Sequence, residues 1–226
     1  MEIRERLTQI RAQIHAACER VGRDPNEIRL LAATKGRNVA EILAAVQAGV
    51  DLIGENTVQE ALAKFEFLPK NLERHFIGML QSNKVREALR LFDMIQSVTS
   101  LELARAIDRA ASKLGRRYPV LIEVNPAGEA SKRGVAPDAV ESLLNQIESL
   151  ELIRVEGLMA MMPYSEEPQG LRPYFRQMKR LFDGLRQPAE RKFTILSMGM
   201  SQDFAIAIEE GATLIRLGTV LFGSGR

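Results

Sequence analysis

Short apolar segments typical of buried strands alternate with amphipathic segments typical of helices from Ile28 to Leu217. Eight such strand–helix units follow one another, and an additional amphipathic segment over residues 1–22 precedes them. Strands that alternate with helices run parallel in one sheet, and eight units is the number that closes a (β/α)8 barrel. The pattern therefore predicts an α/β protein, a TIM barrel with an extra N-terminal helix. An open doubly wound sheet is the alternative, although no Gly-rich dinucleotide fingerprint follows the first strand.

The boundaries of the predicted elements come from hydrophobic periodicity and from Gly, Pro and capping residues. The predicted strands cover residues 28–34, 51–54, 75–79, 94–98, 120–124, 153–159, 193–197 and 213–217. The predicted helices after them cover 39–48, 57–67, 83–91, 101–114, 137–150, 171–185 and 202–210. Good N-cap residues precede three of these helices, namely Asn38, Ser100 and Ser201.

Length and charge restrict the classes of function. A barrel of roughly 250 residues would use nearly all of the 226 residues, so we expect one domain over 1–226. The net charge of +2 is too small to favour nucleic acid or an anionic membrane. The chain contains no long apolar run and no signal-peptide pattern, so a cytoplasmic location is expected. Cys18 is the single cysteine, and no spacing of His, Asp and Glu resembles a metal site.

Lys35 follows directly after the first predicted strand and lies just before a helix. Barrels carry their chemistry at the carboxyl ends of their strands. A helix N-terminus and partial desolvation both disfavour an ammonium group, and a neutral amine is a nucleophile for aldehydes. A surface lysine at a turn is the ordinary explanation of such a residue taken alone, so the interpretation depends on the rest of the chain.

Two loops near the C-terminus have the composition of a phosphate site. Ser197-Met-Gly-Met-Ser201 follows the seventh predicted strand, and Gly218-Thr219 follows the eighth. Hydroxyls and N–H groups at such turns bind phosphate, and Gly199 would let the backbone approach an anion closely. Taken alone, each loop is explained by a glycine that turns the chain, Gly199 or Gly218, and Ser201 by a helix cap. Both together, on the two strands where barrels commonly bind phosphate, favour a phosphate ligand.

Two polar residues lie within otherwise apolar predicted strands. Arg216 must contact a partner or a ligand, because an unpaired buried charge is too costly. A salt bridge with Glu123 or Glu55 and a ligand contact are about equally well supported. His75 is open to two interpretations, a donor to a ligand or a buried histidine satisfied by its neighbours.

A strand-end lysine, a phosphate site and a nearby arginine suit a phosphorylated aldehyde, of which pyridoxal 5′-phosphate (PLP) is the common example. At this point the sequence resembles the family of pyridoxal phosphate homeostasis proteins, which look like the barrel domain of alanine racemase. The match spans almost the whole chain. Its motifs are ATK (33–35), GENTVQE (54–60), HFIGMLQSNK (75–84), IEVN (122–125), GEASKRG (128–134), GLMAMMP (157–163), LSMGMSQD (196–203) and RLGTVLFG (216–223).

The resemblance implies a fold type III PLP protein in which Lys35 carries the cofactor as a Schiff base. It implies that Arg216 faces the pyridine nitrogen and that Asn56 and His75 lie around the ring. The phosphate would be held by Ser197, Gly199, Ser201, Gly218 and Thr219.

Two residues depart from the family pattern. Met79 stands where the family usually has His, and Arg74 stands where it often has an aromatic residue. Both departures leave the cofactor assignment intact and put any role of the usual histidine in doubt.

The resemblance and the chemistry together favour a carrier of PLP over an enzyme. A cationic Arg216 disfavours protonation of the pyridine nitrogen, and an unprotonated ring is a poor electron sink. Racemisation needs a proton donor on each face of the substrate. Only seven residues follow Thr219, so we expect no second domain to supply one. We therefore expect a monomeric protein of intracellular PLP homeostasis that supplies apo PLP-dependent enzymes. A PLP-dependent amino-acid racemase, and a cofactor-free aldol reaction of a phosphosugar at Lys35, remain the alternatives.

Overall fold

The structure, a computed structural model, describes residues 2–129, 133–186 and 192–223. Eight parallel strands close into a barrel in sequence order, which confirms the predicted fold class. The strands are β1 (Arg29–Ala33), β2 (Leu52–Glu55), β3 (Glu73–Phe76), β4 (Met94–Val98), β5 (Tyr118–Val124), β6 (Ile153–Ala160), β7 (Ile195–Ser197) and β8 (Leu214–Leu217). Three residues of the GEASKRG motif, 130–132, lie outside the described residues.

Helices surround the barrel and cover its outer surface. They are α1 (Ile3–Val21), α2 (Val39–Gln47), α3 (Val58–Lys64), α4 (Val85–Leu91), α5 (Leu101–Ala111), α6 (Val140–Glu148), α7 (Arg172–Leu185), α8 (Phe204–Glu209) and α9 (Thr219–Phe222). The extra N-terminal helix α1 packs against α8 and α9, beside the seam where the barrel closes. Within the described ranges, the helices lack the length and apolar content that a membrane span requires.

Two of the predicted N-caps are confirmed. The Asn38 side chain accepts the Glu41 N–H at 2.9 Å, and Glu41 accepts the Asn38 N–H in return, so α2 begins with a full capping box. The Ser100 hydroxyl accepts the Leu103 N–H at 3.2 Å. The predicted cap at Ser201 is wrong, because α8 begins at Phe204 and its N-cap residue is Asp203.

The third strand differs from its predicted bounds of 75–79. It covers Glu73–Phe76, and Glu73 lies opposite Leu52 in β2. The strand begins earlier because the Glu73 N–H donates to the Asp51 carbonyl at 3.1 Å, which pairs Glu73 with the start of β2. Sequence periodicity favoured the apolar residues after Phe76, which instead enter the loop at the carboxyl end.

Apolar residues fill two separate regions. A large cluster packs between the outer faces of the strands and the helices, as in other α/β barrels. Inside the barrel lie two small clusters, one of Leu31, Leu52 and Leu214, the other of Met94, Leu121 and Met159. The barrel interior also contains buried polar side chains, and these connect to the carboxyl end.

Gly157 provides a test of the barrel geometry. It lies where the β5–β6 register shifts, and a Cβ added there would come within 1.8 Å of the Ile195 carbonyl oxygen in β7. Gly157→Ala must push β6 and β7 apart, and we expect it to lower the free energy of unfolding by about 3 kcal/mol. Urea denaturation measures this change.

Gly184 in α7 is the matched control, because it is exposed and a Cβ there would meet nothing within 4 Å. Gly184→Ala should stabilise the protein by roughly 0.5–1 kcal/mol through helix propensity. Equal effects of the two substitutions would contradict this description of the β6–β7 contact.

Candidate functional site

A cavity of about 730 Å³ opens at the carboxyl ends of the barrel strands. This volume lies within the range of small-molecule sites, roughly 300–1,000 Å³. Six of the nine residues predicted to bind a cofactor line it: Lys35, Asn56, Ser201, Arg216, Gly218 and Thr219. The loop between β6 and α7 contributes an apolar side of the cavity that includes Met161, Met162, Pro163, Tyr164 and Leu171.

Lys35 lies two residues beyond the end of β1 and before the N-terminus of α2. Its side chain is exposed, which corrects the expectation of partial desolvation. Gly36 belongs to the turn that carries Lys35, and its φ of +68° lies in the left-handed region that favours glycine. The amine is therefore presented to the cavity from a tight turn rather than enclosed by its neighbours.

The backbone on both sides of Lys35 is held by side chains of β2 and α3. Lys64 Nζ donates to the Thr34 carbonyl at 3.0 Å, to Glu55 Oε1 at 2.8 Å and to Glu60 Oε2 at 2.6 Å. Glu60 Oε2 also accepts the Gly36 N–H at 2.9 Å, and Glu55 Oε1 accepts the Thr34 hydroxyl at 2.7 Å. We name these five residues the lysine clamp: Thr34, Gly36, Glu55, Glu60 and Lys64. The lysine clamp fixes the turn and leaves the Lys35 side chain accessible.

Burial and pairing act in opposite directions within the lysine clamp. Burial raises the pKa of Glu55, although hydrogen bonds from Lys64 and Thr34 oppose that change. Burial alone would lower the pKa of Lys64, but its bonds to Glu55 and Glu60 outweigh it and raise the pKa. Sequence analysis did not identify Lys64 as part of the site. The sequence signal for Lys64 was its spacing of four residues from Glu60, the last residue of the GENTVQE motif.

The loops after β7 and β8 meet at the other end of the cavity. The Ser201 hydroxyl accepts the Val220 N–H at 3.2 Å, so it ties the β7 loop to the first turn of α9 rather than capping α8. Gly218 and Thr219 line the cavity next to it. Two hydroxyls and the start of a helix thus converge where the phosphate was expected.

Gly199 lies where the loop after β7 packs against α8. Its φ is +94°, and a Cβ there would lie 2.5 Å from the Ala207 Cβ and 3.1 Å from the Phe204 Cα. The glycine allows α8 to pack closely against the β7 loop, and it is not part of the cavity lining. The prediction of a close approach to an anion at Gly199 has no support in its position.

Asp203 also lines the cavity and was missed as a site residue. Its Oδ1 accepts the Met200 N–H at 2.5 Å, which closes the loop after β7. Burial raises the pKa of Asp203, against the opposing effects of that hydrogen bond and of Arg216. The residue ends the LSMGMSQD motif, which was the available signal.

Arg216 lies in the inner wall of the cavity and is only 5% exposed. Its Nη1 donates to Ser197 Oγ at 2.7 Å, and its Nη2 donates to the Ala160 carbonyl at 2.9 Å. The alternative of a salt bridge with Glu55 is wrong, because Glu55 pairs with Lys64. Burial lowers the pKa of Arg216 to about 10, although the charges of Asp203 and Glu123 oppose this. The guanidinium therefore remains a cation at neutral pH.

His75 and Ser197 lie inside the barrel, and the structure does not bring them to the cavity wall. His75 is fully buried between Glu73 and Gln96, and Ser197 is fully buried between Gln96 and Arg216. Contacts of these two residues with a cofactor ring or a phosphate therefore stay predictions, and neither residue belongs to the cavity lining. Alternation along β3 and β7 turns both side chains inward, below the cavity.

Asn56 lies at the cavity because the loops after β2 and β3 touch. A Cβ on Gly78 would lie 1.9 Å from the Asn56 carbonyl oxygen, so only glycine fits at that position. Met79, where the family usually has His, is 58% exposed. Arg74 lies away from the cavity, with its guanidinium 4.7 Å from the ring centroid of Phe65.

Comparison with known proteins identifies similar chains over nearly the full length. Residues 6–225 match the family model described as the alanine racemase N-terminal domain. A pyridoxal phosphate homeostasis protein of Aquifex aeolicus is 44% identical over 220 residues, which cover 97% of this chain and 96% of the relative. Structures of PipY from Synechococcus elongatus are 38% identical and cover 98% of this chain and 100% of PipY. The TM-score is 0.88 for PipY without PLP and 0.85 for PipY with PLP bound.

The lysine clamp gives a pH-dependent stability prediction. Lys64→Met leaves the fully buried Glu55 carboxylate without its cation, a change that costs about 3–5 kcal/mol for buried pairs. Because burial raises the pKa of Glu55 in the folded protein, the carboxyl holds its proton in the folded state more readily than in the unfolded chain. The loss should therefore be small in acid and grow as the pH rises above the ordinary value of 4.5.

Urea denaturation at mildly acidic and mildly alkaline pH measures this difference. The double variant Lys64→Met/Glu55→Gln is the matched control, because glutamine is neutral and still accepts the Thr34 hydroxyl. It should recover most of the loss at alkaline pH. A loss independent of pH, with no recovery in the double variant, would show that the pair does not stabilise the fold.

Proposed function

This chain belongs to the family of pyridoxal phosphate homeostasis proteins, which has the alanine racemase N-terminal fold, and we propose that it binds PLP reversibly at Lys35 and supplies it to other proteins. The observation that carries the proposal is the composition of one cavity. A primary amine, two hydroxyls at the start of a helix and a guanidinium line it together. These are the groups that an aldehyde, a phosphate and a pyridine nitrogen require.

The donor set fits the cofactor part by part. Ser201 and Thr219 lie where hydroxyls and the first turn of α9 can bind a phosphate, and Lys35 supplies the amine. Arg216 and Asn56 lie in the same lining, on β8 and after β2. A relative, PipY, which is 38% identical, has been solved with PLP bound. Size and chemistry of the cavity are both compatible with the same ligand here.

Lys35 is suited to reversible attachment. When bound, PLP supplies an aldehyde that condenses with a primary amine, forming a C=N bond and releasing water. The exposed side chain of Lys35 is open to an incoming aldehyde and equally open to the water that reverses the reaction. The lysine clamp meanwhile holds the turn on both sides, so the amine returns to the same position after release.

Arg216 restrains the reactivity of the ligand. Its pKa of about 10 keeps the guanidinium charged at neutral pH. A fixed positive charge beside the ring nitrogen disfavours protonation of that nitrogen, and an unprotonated ring withdraws electrons weakly. The residue therefore supports storage of PLP more than chemistry on an amino acid.

One observation bears on the alternative, an amino-acid racemase. Racemisation requires a proton donor on each face of the substrate, and Tyr164 is a phenol in the same lining as Lys35. Tyr164 is 80% exposed on the loop between β6 and α7, so its hydroxyl is not held at a fixed position. A donor without a fixed position contributes little to proton transfer, and the carrier function is favoured.

Covalent attachment is tested by absorbance. Purified protein mixed with PLP should gain the near-visible band of a lysine-bound cofactor, and Lys35→Ala should abolish it. Lys84→Ala is the matched control, because that lysine is partly exposed, pairs with Glu87 and does not line the cavity. Borohydride reduction followed by peptide mapping should place the cofactor on Lys35. A band that persists in Lys35→Ala would reject the assignment.

Supply is tested by transfer to an apo PLP-dependent enzyme. The loaded protein should activate the apo-enzyme. The rate of activation is compared with the rate that free PLP gives at equal concentration. Deuterium exchange at the Cα of L-alanine and other amino acids tests for turnover in parallel. We expect activation and, at most, less than one exchange per protein molecule. Multiple turnovers, or no activation of any apo-enzyme, would contradict the carrier function.

A further inference from the structure

A chain of hydrogen bonds crosses the barrel interior from the cavity to the opposite end. Arg216 Nη1 lies 2.7 Å from Ser197 Oγ, and Ser197 Oγ lies 2.7 Å from Gln96 Oε1. Gln96 Nε2 lies 2.7 Å from His75 Nδ1, and His75 Nε2 lies 2.8 Å from Glu73 Oε1. We name this set the interior chain; its members are Glu73, His75, Gln96, Ser197 and Arg216.

An ionised Glu73 and a His75 ring that carries one proton together determine the direction of every bond in the interior chain. Arg216 can only donate, and an ionised Glu73 can only accept. The hydrogen bond with His75 lowers the pKa of Glu73 to about 2, with a further contribution from Arg29 and against the effect of burial. The Ser197 hydroxyl therefore donates to Gln96, the Gln96 amide donates to His75 Nδ1, and His75 Nε2–H donates to Glu73.

The reverse orientation of the Gln96 amide is excluded by the same accounting. A turned amide would direct its carbonyl oxygen at His75 Nδ1, and that nitrogen would then need a proton. A neutral imidazole with its proton on Nδ1 would present a bare Nε2 to the Glu73 carboxylate. Two acceptors that face each other in a buried site form no hydrogen bond, and both still bear the free-energy cost of lost hydration. With one proton on the His75 ring, only this arrangement gives every member of the interior chain a hydrogen-bond partner.

The interior chain holds the guanidinium at a defined position. Two hydrogen bonds anchor Arg216, one to the Ser197 hydroxyl on β7 and one to the Ala160 carbonyl at the end of β6. The carboxylates of Glu123 and Asp203 act on the charge of Arg216 from nearby. Without the Ser197 hydroxyl, the guanidinium would keep only the Ala160 carbonyl of these two hydrogen-bond partners.

We propose that Gln96, His75 and Ser197 are positioning residues, which orient Arg216 toward the ring nitrogen of PLP through the interior chain. The inference rests on the proposed function, since it needs PLP to bind beside Arg216. It assigns a role to Gln96, an amide within the buried strand β4, and it changes the role of His75 and Ser197 from cofactor contact to support of one contact.

The test compares two ligands in one variant. Gln96→Met keeps the length of the side chain and removes both hydrogen bonds of the amide. We expect its affinity for PLP, measured by absorbance titration, to fall about tenfold, because Arg216 would then lose its defined position beside the ring nitrogen. For the PLP analogue that has C–H in place of the ring nitrogen, wild type and variant should bind equally, because Arg216 has no ring acceptor there.

Ser97→Ala is the matched control, because Ser97 is the next residue on β4, is also buried, and its hydroxyl has no hydrogen-bond partner within the described residues. It should change neither affinity. Ser197→Ala removes one hydroxyl and should reproduce the effect of Gln96→Met, so it decides the question if Gln96→Met does not fold. Thermal unfolding monitors the fold of each variant.

The outcomes separate the inference from the proposed function. Failure of the wild-type protein to bind PLP would reject the proposed function and the inference that rests on it. Binding by wild type with an equal loss for both ligands in Gln96→Met and Ser197→Ala would overturn the inference alone, because the chain would then support the site in general. Unchanged affinity for PLP in both variants would also overturn it.

Discussion

Backbone pairing between β1 and β8 closes the barrel, and the same pairing assembles the site. Leu31 lies opposite Arg216, and Ala32 lies opposite Leu217. The chain leaves β1 toward Lys35 and leaves β8 toward Gly218 and Thr219 at the same rim. Parallel strands make this unavoidable, because all of their carboxyl ends point the same way. Residues separated by most of the sequence thereby line one cavity.

The barrel interior combines apolar packing with polar groups that are satisfied in pairs. Three leucines form one inner cluster, and Met94, Leu121 and Met159 form another. The barrel interior also holds the interior chain, in which each donor meets an acceptor. Apolar side chains in place of these polar residues would leave no side-chain hydrogen bonds to satisfy in this part of the barrel interior. The polar chain instead holds a charged guanidinium at the floor of the cavity, which a purely apolar interior could not do.

The lysine clamp and the interior chain solve opposite problems at the two main cationic groups of the site. Lys35 has an exposed side chain on a fixed turn, and the fixed turn comes from Glu60, Lys64 and their partners. Arg216 has a buried side chain fixed through its own hydrogen bonds. An accessible amine suits repeated loading and release. A buried cation keeps a constant electrostatic environment around whatever ligand is attached.

The sequence by itself determined the local features of this protein. Alternation of apolar segments predicted the closed barrel, the capping box at Asn38 and Glu41 predicted the start of α2, and Lys35 was recognised at the end of β1, because these signals depend on neighbours within a few residues. Only the tertiary structure decided where His75 and Ser197 point and what packs against Gly199, and it added Gln96 and Lys64. The hydrogen bond from Ser197 to Gln96 spans 101 positions of sequence. Strand periodicity tells which residues face inward, whereas the partner that an inward side chain meets across the barrel is set by closure and by the requirement that every buried polar group be satisfied.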